Sequence, residues 1–203
     1  MLRLSDIKEI LSNVKSLPGK KSQYKMAPSN RDLLLQTTCS NKSMQSAVLL
    51  LVFEDNGVAK FVLIKRPVYN GPHSGQMALP GGKYEEKDIR LSQTAVRECF
   101  EETGVKTNVK DIVLELSPLV IPKTGMNVYP FVSVINFKPD FKINQREVAS
   151  LFTPEVNILF DKSIVKTYKK GEVSYPYYDI ENQKVWGATA MILSEFSDLL
   201  TMQ

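Results

Sequence analysis

Seven of the sixteen residues from Pro67 to Gly82 are glycine or proline. Proline lacks the amide proton a helix needs, and glycine loses the most backbone freedom on ordering. The stretch is therefore predicted to be loop, with backbone able to approach another group closely. Beyond it, from Leu91 to Thr103, residues recur at helical spacing, and Gly104 stands where a left-handed C-terminal cap belongs. A glycine-rich loop running towards a capped helix is the fixed point around which the rest of the chain must be arranged.

On the N-terminal side, Leu4 to Leu17 carries the stripe Leu4, Ile7, Leu11 and Val14, an amphipathic helix stopped by Pro18-Gly19. Lys20, Lys21 and Lys25, which follow, read as a solvated cluster in preference to a phosphate grip. Ser46 to Phe53 reads as a buried strand, Asp55-Asn56-Gly57 as a tight hairpin turn, and Lys60 to Arg66 as the return strand. Past the central helix, Ile112 to Ile121 and Asn127 to Phe137 are β-rich, and the alternation of the second predicts a half-exposed strand. Ser174 to Ile180 and Lys184 to Trp186 read as strands. Thr189 to Leu200 reads as a closing helix with Ala190, Ile192, Leu193, Phe196 and Leu200 turned inward. Interleaved helices and strands without an internal repeat give an α/β class.

A chain of 203 residues with 43% hydrophobic content can bury one substantial core. Its 26 Lys+Arg against 22 Asp+Glu leave a net charge of +4, too mild for a dedicated nucleic-acid binder and compatible with an anionic small molecule. Two cysteines, Cys39 and Cys99, exclude a disulfide framework and point to a reducing, cytoplasmic compartment. The longest apolar run, Ala47 to Phe53, falls far short of the roughly 20 residues that cross a bilayer, so no membrane partner is expected. Gly19-Lys20-Lys21-Ser22 lacks the upstream glycine of a P-loop.

On the helix from Leu91 to Thr103, Glu98, Glu101 and Glu102 fall within one arc of about 100°, while Ala95, Val96, Cys99 and Phe100 occupy a separate arc of about 140°. The apolar arc is predicted to be core, with Cys99 a small buried hydrophobe. Three carboxylates at such spacing repel one another and call for a cation. Hard divalent ions, Mg²⁺ or Mn²⁺, take oxygen ligands of this kind. One histidine and two distant cysteines cannot build a zinc cage. Arg97 is expected to brace the glutamates through charge-assisted hydrogen bonds.

The segment Gly82-Lys83-Tyr84-Glu85-Glu86-Lys87-Asp88, eight further residues, then Arg97-Glu98-Cys99-Phe100-Glu101-Glu102-Thr103-Gly104-Val105 resembles the Nudix box, G-x5-E-x7-R-E-U-x-E-E-x-G-U with U aliphatic. Two departures stand out. Asp88 replaces the first glutamate at a spacing one residue longer, which makes it a local partner or helix-start group instead of a metal ligand, and Cys99 replaces an aliphatic residue. The resemblance implies a Nudix-type α/β/α sandwich with a mixed sheet. It divides the chain into a helical extension over residues 1–45, packed on the main domain, and a Nudix hydrolase domain over 46–203. It further implies metal ligation by Glu98, Glu101, Glu102 and the Gly82 carbonyl, with water as the nucleophile. Glu98 would orient or deprotonate that water, and Glu147 is the candidate for a base from a later loop.

Val62-Leu63-Ile64-Lys65-Arg66 and His73-Ser74-Gly75-Gln76-Met77-Ala78-Leu79-Pro80-Gly81-Gly82 are similar to the signature of the coenzyme A pyrophosphatase branch of that family. Thr94-Ala95 and Trp186-Gly187-Ala188-Thr189-Ala190 match smaller motifs of the same branch. The likeness implies hydrolysis of coenzyme A or an acyl derivative to adenosine 3′,5′-bisphosphate and 4′-phosphopantetheine. Substrate would be bound by Lys65, Arg66, His73, Gln76 and Gly81, although His73 and Gln76 also read as loop hydrogen-bonders and Trp186 as core. Gly71 stands where the branch has a second arginine. The competing readings are a Nudix enzyme acting on another nucleotide conjugate, such as ADP-ribose, a nucleotide sugar or a dinucleoside polyphosphate, and a nucleotide-sensing module without catalysis. A homodimer is compatible with either.

Overall fold

The computed structural model describes residues 2–37, 44–71 and 73–201. Cys39 lies outside them. In chain order the helices are α1 (Leu4–Ser12), α2 (Lys20–Gln23), α3 (Arg31–Gln36), α4 (Leu91–Thr103) and α5 (Gly187–Thr201). The strands are β1 (Gln45–Asp55), β2 (Val58–Phe61), β3 (Leu63–Lys65), β4 (Met77–Ala78), β5 (Gly81–Lys83), β6 (Ile112–Glu115), β7 (Leu119–Ile121), β8 (Met126–Ile135), β9 (Ser150–Phe152), β10 (Val165–Lys170), β11 (Val173–Ile180) and β12 (Gln183–Trp186).

β1 is the spine. It runs parallel to β8 from Gln45 to Phe53 and antiparallel to β2 and β5, so the six-stranded sheet is mixed, in the order β2-β1-β8-β6 with β5 on β1 and β7 on β8. Strand alternation sends Ala47, Leu49, Leu51 and Phe53 to one face, where they meet Ala95 and Cys99 of α4. Leu50 and Val52 go to the other, where they join Leu4, Ile7 and Leu11 of α1 and Met191, Ile192 and Phe196 of α5. Helices on both faces make the α/β/α sandwich. Among the described residues no helix is long and apolar enough to cross a membrane.

Several expectations are corrected. The first helix ends at Ser12 and not near Leu17, because Asn13 folds back, its side-chain amide donating to the Glu9 carbonyl at 3.0 Å. The basic stretch after Gly19 is helical, while its lysines stay exposed to solvent as expected, with Lys20 beside Asp32 and Lys25 beside Asp198 at the surface. The hairpin turn forms as expected, with Asn56 and Gly57 at φ of 53° and 78°. Its return strand, however, breaks at Val62, and β3 leaves for a second sheet with β4 and β9. The loop from Pro67 to Gly82 contains β4 and part of β5. β8 is central and largely buried, not half-exposed, because helices cover both of its faces. Phe100 is 42% exposed at the margin of α4, with the Lys106 ammonium 6.0 Å from its ring centroid, so the apolar arc is wider than the face the sheet covers. Cys99 is buried, and burial pushes its thiol up to about 12, which leaves it unreactive.

The N-terminal segment is stitched to α5 by a buried carboxylate. Glu195 accepts from the Gly19 and Ser117 amides at 3.1 and 3.3 Å and from the Gln23 side chain at 2.9 Å. On the opposite face, α4 packs against β1 and β5, beside the Gly81-Gly82 strand.

Candidate active site

α4 spans Leu91–Thr103, the bounds its spacing predicts. Gln93 accepts from the Ile89 and Arg90 amides at 2.7 and 3.3 Å, occupying donors the helix cannot satisfy itself. Gly104 ends it at φ 76°. Two of the orphan carbonyls, of Thr103 and Glu102, accept from the Lys142 and Asn144 amides at 2.8 and 3.1 Å. These bonds dock the loop that carries Glu147, and no local pattern in the sequence announces them.

Gly81 and Gly82 bring backbone against the glutamate face. A Cβ on Gly82 would lie 2.3 Å from the carboxyl carbon of Glu98 and 2.4 Å from both its oxygens, so that carboxylate rests on the strand where only glycine leaves room. Gly81 at φ 156° donates its amide to Glu102 Oε2 at 2.8 Å. A Cβ on Gly81 would meet the Ala47 carbonyl oxygen at 2.4 Å.

The three glutamates differ in surroundings. Glu102 is buried, and burial pushes its carboxyl up to about 7 against the downward pull of the Gly81 amide and of Arg66. Glu98, largely covered, is raised for the same reason, with Arg97 opposing and the charges of Glu101 and Glu147 adding. Glu101 is the exposed member and accepts from Arg97 Nη1 at 3.0 Å.

Arg97 braces the cluster. Its Nε and Nη2 donate to Asp88 at 3.0 and 2.8 Å, Nη2 also to the Lys83 carbonyl at 3.1 Å, and Nη1 to Glu98 at 2.9 Å. Asp88, the departure from the box pattern, thereby holds the guanidinium and is itself held by the Thr94 hydroxyl at 2.9 Å and the Glu85 amide at 3.2 Å. The Arg97 hydrogen bond is the main reason its carboxyl falls to about 2. Thr94 anchors Asp88 from one turn into the helix.

The remaining predicted residues separate into two groups. Arg66 comes to the site, with a guanidinium nitrogen 3.4 Å from the Gly81 carbonyl and 4.0 Å from Glu102. Glu147 is exposed, held by the Asn144 side chain at 3.0 Å, and its charge is felt at Glu98 and Glu102. Lys65, next to Arg66 on an extended strand, is directed elsewhere, its ammonium 3.0 Å from the Gln183 side chain. His73 and Gln76 bond each other at 3.0 Å in the loop, His73 at φ 63°. Trp186 packs edge-on against Tyr168 and Tyr175, on the outer sheet β10-β11-β12.

Among the described residues no three Asp, Glu, His or Cys side chains are drawn close enough to hold an ion as they stand. Glu98 and Glu102 meet at the Gly81-Gly82 strand, while Glu101 is turned to Arg97. The donor set still fits a hard divalent cation. It is all oxygen, and its two covered carboxylates are crowded and desolvated, which a cation relieves. Two open surface grooves, one beside α1 and Leu199 and one between Arg3 and Phe137, are lined by none of these residues.

The raised carboxyls carry a pH signature. Folded Glu102 keeps its proton up to about 7, whereas an unfolded glutamate loses it near 4.5, so the native state binds more protons between those values. Stability of ion-free protein is expected to fall as pH rises from 4.5 to 7, by at most about 3 kcal/mol. Urea unfolding across that range should show the slope, and Glu102→Gln should flatten it. An equal slope in the variant would assign it to other groups.

The model of the NUDIX domain family matches residues 43–161, more than half of the chain and including α4 and its glycine strand. The chain belongs to the Nudix family. It is 31% identical to Nudix hydrolase 15, mitochondrial, of Arabidopsis thaliana, over 75% of this chain and 57% of that protein. It is 32% identical to the uncharacterized Nudix hydrolase NudL of Yersinia enterocolitica, over 65% of this chain and 69% of that one. The chain thus spans little more than half the length of the plant relative. Both relatives are named as Nudix hydrolases. A Caenorhabditis elegans Ap4A hydrolase shares the fold at a TM-score of 0.53 and 16% identity, over 79% of this chain and 99% of that chain. A MutT/nudix family protein from Enterococcus faecalis does so at 0.52 and 15%, over 98% and 73%. The stretch that resembles the Nudix box falls on the strand at Gly82 and on α4.

Proposed function

We propose that this chain is a divalent-metal-dependent Nudix pyrophosphohydrolase acting on coenzyme A or an acyl derivative, releasing adenosine 3′,5′-bisphosphate and 4′-phosphopantetheine. One observation carries the hydrolase reading: the Glu98 and Glu102 carboxylates face the Gly81-Gly82 backbone, with Arg97 and Arg66 beside them. Glu98, Glu101, Glu102 and the Gly82 carbonyl would hold Mg²⁺ or Mn²⁺. Bound there, the ion would neutralise phosphate charge and lower the pKa of water.

The chain's own residues supply the rest. Asp88 fixes Arg97, and Arg97 fixes the orientation of Glu98. With its carboxyl raised by burial, Glu98 can take a proton from the attacking water, and Glu147 is the alternative acceptor on the docked loop. Arg66 supplies charge to a diphosphate oxygen. Lys65, turned to Gln183, has no part in this constellation.

Coenzyme A rests on the motifs from Val62 to Gly82 and from Trp186 to Ala190. A second reading, another nucleoside diphosphate conjugate, is favoured by Gly71, which lacks the guanidinium of that branch and where an added Cβ would stand 2.7 Å from the Tyr69 ring. Incubation with coenzyme A, ADP-ribose, a nucleotide sugar and a dinucleoside polyphosphate, with products identified by mass, separates the two. Release of 4′-phosphopantetheine supports the first. Turnover confined to another conjugate discards it and leaves the hydrolase reading standing.

A further inference from the structure

Four side chains beside α4 close a ring of alternating charge. Glu101 has Arg97 at 3.0 Å and Lys87 at 4.0 Å, and Glu85 has the same two cations, Lys87 at 3.0 Å and Arg97 at 3.5 Å. The two cations are not equally free. Arg97 is covered, and its Nε and Nη2 are committed to Asp88 and the Lys83 carbonyl. Lys87 is exposed, and both carboxylates it touches belong to the ring. Among the three box glutamates, Glu101 is the exposed one, so it has the most room to turn.

We propose that Lys87 sets the affinity of the site for its divalent cation by competing for the Glu101 carboxylate, with Glu85 the acceptor that keeps Lys87 when Glu101 is given up. The inference rests on the proposed metal site. A carboxylate cannot present the same oxygens to an ammonium and to a cation, so ion binding and the contact between Lys87 and Glu101 oppose each other. Because Glu85 lies nearer to Lys87 than Glu101 does, at 3.0 against 4.0 Å, the exchange leaves the ammonium paired. The 3.5 Å contact from Glu85 likewise leaves Arg97 Nη1 a carboxylate besides Glu98. Glu85 and Lys87 touch no reacting atom and are positioning residues.

Mn²⁺ binding, followed by the EPR signal of free ion, tests this in the full chain and in Lys87→Gln, Glu85→Gln, Glu98→Gln, Glu101→Gln and the Lys87→Gln/Glu101→Gln double variant. Terbium luminescence, on a trivalent ion, reads any chain whose Mn²⁺ affinity is weak. Lys87→Gln is expected to tighten binding about threefold, the size of an exposed ion pair. Glu85→Gln is expected to weaken it, since Lys87 then has Glu101 alone. In the Glu101→Gln background, Lys87→Gln is expected to change affinity by less than about 1.5-fold, because no carboxylate is left to compete for. Equal tightening in both backgrounds would mean that Lys87 acts as a distant charge and would overturn the proposal, as would no tightening in either. Native protein whose Mn²⁺ binding survives Glu98→Gln unchanged would sink the metal site itself. Binding lost in Glu98→Gln but indifferent to Lys87→Gln would sink only the competition.

Discussion

Glu98→Gln is expected to lower turnover about a thousandfold, within the range found when a general base is removed, while leaving the fold intact. The amide keeps the shape of the carboxyl and still accepts from Arg97 Nη1, but it cannot take a proton from water and is a poorer ligand for a hard cation. Stability should hold or rise slightly, because burial already penalises the charged form of Glu98. Steady-state kinetics with a urea melt on the same preparation checks both halves. A tenfold effect or less would move the base to Glu147, whose own replacement by Gln should then carry the large loss.

Gly82→Ala is expected to cost at least about a hundredfold in turnover, the scale of a displacement of one ångström at a reacting group, with little change in stability. The added methyl would stand 2.3 Å from the Glu98 carboxyl carbon. What it displaces is the far end of a flexible side chain, so the glutamate swings away and the sheet stays as it is. Gly81→Ala is the contrasting control. Its methyl would meet the Ala47 carbonyl oxygen at 2.4 Å and the Val48 Cα at 2.6 Å, which are backbone and cannot move aside, so folding itself should suffer. If Gly82→Ala kept full activity, Glu98 would not be working in the position described.

What could be read in the sequence was what depends on neighbours along the chain. The bounds of α4, its left-handed glycine, the hairpin turn at Asn56-Gly57 and the arc holding Glu98, Glu101 and Glu102 follow from spacing and backbone preference over a few residues. Arg97 as a brace followed from charge and geometry. The contacts that make the helix into a site are long-range and left no such trace. The docking of the Glu147 loop rests on backbone amides of Lys142 and Asn144, which any residue but proline could supply. The break at Val62 interrupts a continuous apolar run, and nothing local marks the change of sheet. Lys65 and Arg66 look alike as adjacent cations, yet strand alternation turns one to Gln183 and the other to Glu102. β9 is only three residues long, and β10, carrying lysines along an exposed edge, gives no buried alternation to recognise.

The central claim is that the glutamates of α4 and the strand at Gly82 together hold a divalent cation. A crystal soaked with Mn²⁺ and measured for anomalous scattering tests it most directly. The account predicts a peak about 2.2 Å from carboxylate oxygens of Glu98 and Glu102, with Glu101 turned off Lys87 to join them and the Gly82 carbonyl in reach. A peak elsewhere on the protein, with Glu101 still on Arg97 and Lys87 and no ion beside Glu98, would contradict it.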